Sequence, residues 1–289
     1  MATGPIDRVG PVANETAASQ NLLEPRRMGV LDRFSLKGRV ALVTAGAGPL
    51  FGRSISCALA EAGATVVTAS RSRERNEAFA AELRGHGHDA HGLAFDQEDL
   101  ASIEALHADV LKQFGRLDVL VNSALARDGH VGGFEAQNAE TWQHAASGDF
   151  AGLFRHCQLA VAAMSRQGRG SIINIASIYG VVSNDPGLYA GTQMVQPPTY
   201  NFVKAGMINF TRYLAAYYGR KGIRANSISP GGYFNEQPRA FVERYEGRVP
   251  LGRMMGHEDL QGAVVFLASD ASAYVTGTNL MVDGGWTCL

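Results

Sequence analysis

One stretch near the start of the chain indicates the fold: Val40-Ala41-Leu42-Val43-Thr44-Ala45-Gly46-Ala47-Gly48-Pro49-Leu50-Phe51-Gly52. Its first five residues form an apolar run of the kind found in strands that are covered on both faces. A segment with helical periodicity begins at Gly52, and the glycines between the two permit a tight turn. The stretch therefore predicts a buried strand, a glycine turn and a helix.

The same unit repeats along the chain. Apolar runs suited to strands lie at 40–44, 65–69, 92–95, 119–122, 171–176, 223–228 and 279–282. Helical patterns lie between them, among others at 52–62, 100–114, 142–165 and 200–218. Strands that alternate with helices predict a three-layer, doubly wound α/β fold with a mainly parallel sheet of seven strands.

Composition narrows the class of protein. With 289 residues, 46% of them hydrophobic, the chain can bury a large core, and a net charge of -1 gives no reason to expect a nucleic-acid partner. Three scattered cysteines suggest neither a disulfide frame nor a zinc site, and none of the eight histidines has metal-ligand spacing. No apolar run is long enough for a membrane helix. We expect a cytoplasmic protein with a flexible extension at 1–35 and one domain at 36–289.

The glycine turn has a chemical interpretation. Backbone amides at the start of a helix bind anions, so this turn predicts a pyrophosphate site, although a plain loop is the alternative. The second strand ends at Ser70 and Arg71 with no acid at its tip, and Arg73 follows. These residues favour the 2′-phosphate of NADP(H), while NAD(H) stays open and the arginines could instead only solvate a helix start. Asp96 could bind adenine or cap a helix.

A second constellation suggests acid/base chemistry. Tyr200 and Lys204 are four residues apart on a predicted helix, so an ammonium lies near a phenol and can lower the phenol's pKa. Ser177 follows an apolar strand and could hold the same substrate oxygen. The pair alone also fits an ordinary exposed helix.

Together, residues 36–286 resemble the short-chain dehydrogenase/reductase family, whose single-domain members have a Rossmann fold. The matching motifs are the turn at 46–52, Val121-Asn122-Ser123-Ala124, Ser177 with Tyr200 and Lys204, Pro230-Gly231, and Val282-Asp283-Gly284-Gly285. The resemblance implies that Tyr200 is the acid/base, Lys204 lowers its pKa and binds the nicotinamide ribose, and Ser177 holds the carbonyl. The expected cofactor contacts are Gly46, Gly48, Leu50, Phe51, Gly52, Ser70, Arg71, Asp96, Asn122, Ser123, Ala124, Tyr200, Lys204, Pro230, Gly231 and Tyr233.

The chain also departs from the family pattern. Ala45 and Leu50 replace a Thr and a Gly of the turn, so the loop should follow another path to the phosphates or bind them less tightly. Ser123 replaces an Asn and Leu125 a Gly beside the expected nicotinamide site. Asp149 aligns with an Asn that supports the lysine; it should either pair with Lys204 or hold the lysine's charge away from Tyr200.

Between Ser177 and Tyr200 the chain is longer than is usual in the family. This predicts an insertion loop at 183–199 over the active-site mouth, although an ordinary surface or subunit-contact loop is the alternative. Polar groups there could bind a polyhydroxylated substrate, and the resemblance is greatest to enzymes of gluconate-type sugar acids or surface-glycan precursors. The expected substrate contacts are Ser177, Tyr179, Tyr189, Gln193 and Asn235.

The leading hypothesis is therefore an NADP(H)-dependent oxidoreductase that transfers a hydride between nicotinamide and a carbonyl or secondary alcohol. A non-catalytic dinucleotide-binding sensor or assembly subunit is the alternative. A sugar-nucleotide epimerase or dehydratase would need a larger carboxyl-terminal domain. The family resemblance and surplus apolar residues on the helices at 142–165 and 200–218 predict a homo-oligomer, a dimer or tetramer, with no membrane or nucleic-acid partner.

Overall fold

A computed structural model describes residues 29–289 of the chain. Of the extension expected at 1–35, residues 1–28 lie outside the described part. Leu31–Phe34 form a short 3-10 helix, and Leu36 is fully buried and donates its amide to the carbonyl oxygen of Ala62 at 2.8 Å. Packed structure thus begins at Leu36, close to the expected boundary.

Seven parallel strands form one sheet, which confirms the expected fold. They are β1 (Val40–Thr44), β2 (Thr65–Ser70), β3 (Ala90–Ala94), β4 (Val119–Asn122), β5 (Gly170–Ile175), β6 (Ile223–Pro230) and β7 (Asn279–Val282). Their order is β3-β2-β1-β4-β5-β6-β7, so the chain reverses direction across the sheet after β3. Ligands of such sheets bind at the carboxyl ends of the strands beside this reversal, between β1 and β4.

Helices cover both faces of the sheet. They are α1 (Phe51–Glu61), α2 (Arg73–Gly85), α3 (Leu100–Phe114), α4 (Ala139–Ala145), α5 (Leu153–Gln167), α6 (Pro186–Tyr189), α7 (Pro198–Tyr218), α8 (Arg239–Glu246) and α9 (Gln261–Ala268). One core lies between the sheet and α3, α5 and α7, and the other lies between the sheet and α1, α2 and α9. Among residues 29–289, no helix is both long and apolar enough to span a bilayer.

Two sequence predictions need correction. The strand expected at 92–95 begins two residues earlier, at Ala90. The single helix expected at 142–165 is interrupted by a π-helical segment, Ala146–Gly152, between α4 and α5. Glycines allow this segment to pack closely against Gln97: a Cβ on Gly152 would lie 2.3 Å from the Gln97 carbonyl oxygen, and the Gln97 side-chain amide donates to the Gly148 carbonyl at 2.9 Å. Such segments often occur at functional sites.

A row of buried polar side chains ties α7 to the centre of the sheet. Asn122 on β4 donates to Asn174 on β5 at 2.8 Å, and Asn174 donates to the hydroxyl of Thr211 on α7, also at 2.8 Å. Buried hydrogen bonds of this kind are costly to break, because each unpaired polar group would lose its solvation. They fix the position of α7, the helix that carries Tyr200 and Lys204.

Candidate active site

The turn after β1 is shaped by backbone contacts. Ala45 adopts a left-handed conformation with φ 54°, which is uncommon for a residue with a side chain. A Cβ on Gly52 would lie 2.0 Å from the carbonyl oxygen of Ala45, so only glycine permits the first turn of α1 to approach this closely. The side chain of Thr44 accepts the amides of Ser123 and Ala124 at 2.9 and 3.0 Å, which joins the turn to the end of β4.

The amino terminus of α1 is open towards this edge of the sheet. Leu50 precedes the helix and makes no side-chain cap. Within residues 29–289, no acceptor takes the amides of Phe51 and Gly52. Free amides at the positive end of a helix of 11 residues suit a phosphate group.

A cleft of about 610 Å³ runs along the carboxyl edge of the sheet. Its lining begins at Ser70 and Arg71, passes the glycine turn, and ends at Tyr200 and Lys204. The other lining residues are Ala45, Gly48, Pro49, Leu50, Phe51, Gly52, Ser72, Arg75, Phe95, Asp96, Gln97, Glu98, Ser123, Ala124, Leu125, Ala126, Arg127, Ile175 and Ala176. The structure thus brings the expected phosphate turn and the expected acid/base pair to one cavity.

The end of the cleft at β2 is basic. Arg71 and Arg75 line it, and among the described residues no carboxylate pairs with either of them. Arg73 was expected to assist Arg71 but does not line the cleft; it is the first residue of α2, which Ser72 caps. Asp96 lines the cleft and also accepts the amide of Glu98 at 3.0 Å, so it stabilises the turn after β3.

The other end of the cleft holds Tyr200 and Lys204 on α7. The Lys204 ammonium is buried, donates to the Ile175 carbonyl oxygen at 2.7 Å, and lies 5.5 Å from the centre of the Tyr200 ring. Burial lowers the pKa of Lys204 from 10.5 to about 8, against the opposing effect of Asp149. Burial also raises the pKa of Tyr200 above its usual value, while the neighbouring Ser177 hydroxyl lowers it. Desolvation thus opposes the lowering that the sequence predicts for the phenol.

Ser177 lies two residues after the end of β5 and caps a short 3-10 helix, Ile178–Gly180. Its hydroxyl oxygen accepts the Tyr179 amide at 3.1 Å, which orients the side chain. The turn packs tightly on α7, since a Cβ on Gly180 would lie 2.7 Å from the carbonyl carbon of Lys204. The structure therefore brings Ser177, Tyr200 and Lys204 together at one place.

Asp149 lies in the π-helical segment and has a different partner from the one expected. Its Oδ2 lies 2.8 Å from Nε2 of His130, and its Oδ1 accepts the Ala126 amide at 3.1 Å. The structure contains no ion pair between Asp149 and Lys204, both of which are described. Of the two alternatives for Asp149, direct pairing with Lys204 is therefore absent, although the carboxylate still raises the pKa of Lys204 through space.

Five of the expected cofactor residues lie outside the lining of the cleft. Gly46 is buried against Ser56 and Thr68, and Asn122 is buried in the polar row beneath the cleft. The others are at the end of β6: Pro230 terminates that strand, Gly231 lines a separate cavity of about 220 Å³, and Tyr233 packs edge-on against Phe51 at 5.4 Å.

The insertion at 183–199 folds over the carboxyl edge and docks on α8. Leu188 is buried against Phe241 and Tyr245, and Arg244 donates to the Ala190 carbonyl at 2.5 Å. Arg248 also forms an ion pair with Asp185. These contacts give the insertion a fixed position.

Among the expected substrate residues, two meet directly. The hydroxyl groups of Tyr179 and Tyr189 lie 2.9 Å apart, and burial raises the pKa of both phenols. Gln193 is exposed on the insertion, and Asn235 is exposed on the segment that follows β6. The structure thus places two of the polar groups near Tyr200 and two at the surface.

The sequence interpretation missed several residues of the site, of which three are polar side chains with a clear place in it. Arg75 and Gln97 line the cleft, and His130 contacts Asp149. Arg75 could have been found as the third residue of a helix that starts at the tip of β2. His130 had no such signal, since its partner is 19 residues further along the chain.

Comparisons with known proteins agree with this geometry. Residues 51–287 match a family model described as Enoyl-(Acyl carrier protein) reductase. The chain is 36% identical over 275 residues to an NADP-dependent mannitol dehydrogenase from Hypocrea jecorina, covering 91% of this chain and 97% of that one.

Two solved structures show the same fold. A short-chain type dehydrogenase/reductase from Mycobacterium marinum has a TM-score of 0.79 and 32% identity, covering 91% of this chain and all of that one. A gluconate 5-dehydrogenase from Burkholderia cenocepacia, in complex with NADP and tartrate, has a TM-score of 0.81 and 32% identity, covering 90% of this chain and all of that one.

The buried ammonium makes stability depend on pH. The pKa of Lys204 is about 8 in the folded protein and ordinarily 10.5, so between these two pH values the unfolded chain binds more protons than the folded one. The charged lysine therefore lowers the free energy of unfolding fully below pH 8, and this destabilisation is progressively lost as the pH rises towards 10.5. Relative to Lys204→Met, the wild-type protein should gain about 2 kcal/mol of unfolding free energy from pH 7 to pH 10.

Urea unfolding of both proteins at the two pH values measures this difference. Lys112→Met serves as the control, since Lys112 is exposed on α3 and its replacement should leave the pH dependence unchanged. A constant difference between wild-type and Lys204→Met would show that the ammonium is not desolvated.

Proposed function

The chain belongs to the short-chain dehydrogenase/reductase family, and we propose that it is an NADP(H)-dependent oxidoreductase of a small polyhydroxylated molecule. The observation that carries this proposal is the continuous cleft from Arg71 to Tyr200 and Lys204. It joins a basic end, a row of free helix amides and a phenol with an ammonium beside it. A protein that only bound a dinucleotide would have no need of the last pair.

The residues present fit the cofactor. The free amides of Phe51 and Gly52 would hold its pyrophosphate, and Arg71 and Arg75 would hold a 2′-phosphate. Ser123 and Ala124, whose amides are fixed by Thr44, lie between these groups and Tyr200 along the cleft. When bound, the cofactor supplies hydride chemistry, and the chain supplies binding, orientation and proton transfer.

Tyr200 is proposed as the group that exchanges a proton with the substrate oxygen. Ser177 would hold that oxygen, since its hydroxyl lies beside the phenol on the turn packed against α7. Lys204, anchored to the Ile175 carbonyl, would place a positive charge near the phenol when the lysine is protonated. Each of these side chains is positioned by buried contacts, so little reorganisation is needed at the moment of reaction.

The substrate class follows from the polar groups at this end of the cleft. Tyr179 and Tyr189 present hydroxyl groups near Tyr200, and Asn184 and Asn201 are hydrogen-bonded at the base of the insertion. Similarity to a mannitol dehydrogenase and to a gluconate dehydrogenase supports a polyol or a sugar acid as the substrate. The insertion at 183–199, docked on α8, would form the wall of the substrate site.

A screen of polyols, sugar acids and simple ketones with NADP(H) and NAD(H) tests this proposal, and no turnover of any of them would favour a dinucleotide-binding sensor.

The chain is also proposed to act as a dimer or tetramer in the cytoplasm. Six aromatic side chains on α4, the π-helical segment, α5 and α7 are at least a third exposed, and we call them the aromatic surface: Trp142, Phe150, Phe154, Phe202, Tyr213 and Tyr217. Other apolar side chains of the helices expected at 142–165 and 200–218 belong to the core, among them Leu153, Val161, Met207 and Leu214. Free cysteines at positions 57, 157 and 288 are consistent with a reducing compartment.

Replacing Tyr200 by Phe should lower kcat about a hundredfold or more, because the transferable proton is lost while the ring is kept. The affinity for NADPH should stay within a factor of about two. Steady-state rates and a fluorescence titration of NADPH measure the two effects. Tyr213→Phe is the control, since Tyr213 lies on the aromatic surface away from the cleft. Wild-type kcat in Tyr200→Phe would contradict the role of the phenol.

Cofactor preference should depend on the basic end of the cleft. We expect NADPH to bind at least about tenfold more tightly than NADH, and Ser70→Asp with Arg71→Ala to reverse this by adding repulsion and removing attraction. Arg73→Ala should leave the preference unchanged, since Arg73 does not line the cleft. Titration of both cofactors into the three proteins decides the matter, and tighter wild-type binding of NADH would overturn the assignment.

The aromatic surface should carry the subunit contact. Phe202 and Tyr217 are 63% and 65% exposed, so Phe202→Lys with Tyr217→Lys would place two charges in the contact. We expect light scattering at micromolar concentration to show a multimer for the wild type and a smaller species for the variant. Leu31→Lys is the control, because this exposed side chain lies outside the aromatic surface. A monomeric wild-type protein with full activity would exclude the interface.

A further inference from the structure

His130 lies between the carboxylate and the phenol of the site. It follows the 3-10 helix Arg127–Gly129, and its side chain is 5% exposed. One ring nitrogen, Nε2, lies 2.8 Å from Oδ2 of Asp149, and the other, Nδ1, lies 3.0 Å from the hydroxyl of Thr199. Its ring packs edge-on against that of Tyr200, with centres 5.6 Å apart. A buried histidine thus contacts both Asp149 and the start of α7.

Its hydrogen-bond partners determine where its protons lie. Thr199 has one hydroxyl proton and donates it to the Gly129 carbonyl oxygen at 2.7 Å, so Nδ1 of His130 must be the donor in the contact with Thr199. An ionised Asp149 only accepts: Oδ1 from the Ala126 amide and Oδ2 from Nε2 of His130. Both ring nitrogens then carry a proton, and His130 is an imidazolium.

This assignment matters for the phenol and the ammonium. The charge of Asp149, which is 1% exposed in its side chain, raises the pKa of both Tyr200 and Lys204. An unopposed carboxylate at this depth would make the phenol harder to ionise. Its negative charge would also partly cancel the positive electrostatic potential of the Lys204 ammonium at the phenol. A cation 2.8 Å from the carboxylate cancels most of that effect.

The titratable groups around the pair are few. Tyr200 and Lys204 face Asp149 from α7, and Tyr189 faces Tyr200 from the insertion. Arg127 and Asp128, which precede His130, are exposed, so solvent screens their charges. Tyr179 faces Tyr200 from the 3-10 turn. Burial, the Ser177 hydroxyl and Tyr189 also act on the phenol, and Asp149 is the carboxylate among these groups, the one that His130 contacts.

From this geometry we propose that His130 is a positioning residue that, as an imidazolium, neutralises Asp149 and so allows the Tyr200 phenol to ionise more readily and, as a phenolate, to accept the proton of the substrate alcohol. The kinetic consequence rests on the proposed oxidoreductase function, whereas the protonation state of His130 does not. The two parts can be tested separately.

Nuclear magnetic resonance of the full-length protein labelled with ¹⁵N-histidine tests the protonation state. The signals of His130 are identified by their absence in His130→Gln. We expect both of its ring nitrogens to have the chemical shift of N–H nitrogens at pH 7 and to keep it at pH 8. A single bare ring nitrogen at pH 7 would overturn the proposal, whether or not a substrate is known.

The pH profile of alcohol oxidation tests the effect on Tyr200. His130→Gln keeps a donor towards Asp149 but removes the charge, so the profile of kcat/KM should move to higher pH by about one unit, a loss of about tenfold at pH 7. Adding Asp149→Asn removes the uncompensated carboxylate and should return the profile to its original position. Thermal denaturation of each variant checks folding.

Two kinetic outcomes would overturn the proposal: an unchanged profile in His130→Gln, or a shifted profile that Asp149→Asn does not restore. The first would mean that His130 serves packing alone, and the second that its effect on Tyr200 does not act through Asp149. Absence of turnover in the wild-type protein would instead refute the proposed function and leave the spectroscopic test to decide on His130.

Discussion

The site depends on one buried charge, the ammonium of Lys204. It is held by the Ile175 carbonyl oxygen at 2.7 Å, which joins α7 to the end of β5. Burying an ammonium is unfavourable unless it is hydrogen-bonded and close to opposite charge, so its surroundings are constrained. The turn that carries Ser177 packs on the backbone of Lys204 so closely that Gly180 admits no side chain. Tyr200 lies one helical turn earlier on α7, so the three side chains share a single rigid support.

The stability of this support comes from the polar row beneath it. Asn122, Asn174 and Thr211 connect β4, β5 and α7 through buried hydrogen bonds. Replacing them with apolar side chains could preserve packing, but it would remove the directional contacts that fix the rotation of α7 about its axis. A rotation of α7 would move Lys204 away from Ile175 and Tyr200 away from Ser177. The core therefore sets the geometry of the site as well as contributing to folding.

The fold was predictable from sequence because its signals are local. Strands such as β1 and β4 are continuous apolar runs, and the glycine turn marks the first strand and helix. Tyr200 and Lys204 were predictable because they are close in sequence. The interruption near Asp149 and the pairing of Asp149 with His130 were not, since a π-helical segment has no periodic signature and the pair is joined through folding of distant segments. The spacing of residues along the sequence does not show which side chain lies beside Asp149 in the folded protein.

The departures in the glycine turn acquire a physical explanation from the same structure. Replacing a Thr and a Gly by Ala45 and Leu50 suggested a poorer phosphate site, but the groups suited to hold phosphate are backbone amides at Phe51 and Gly52. Their direction is set by the start of α1 and by the close approach of Gly52 to the Ala45 carbonyl, not by the side chains at 45 and 50. Ala45 adopts a left-handed backbone that costs about 1 kcal/mol for a residue with a Cβ, and its carbonyl then binds the Gly48 amide at 2.8 Å. A small local strain thus preserves the shape of the turn, and among its glycines Gly52 leaves the least room for a side chain.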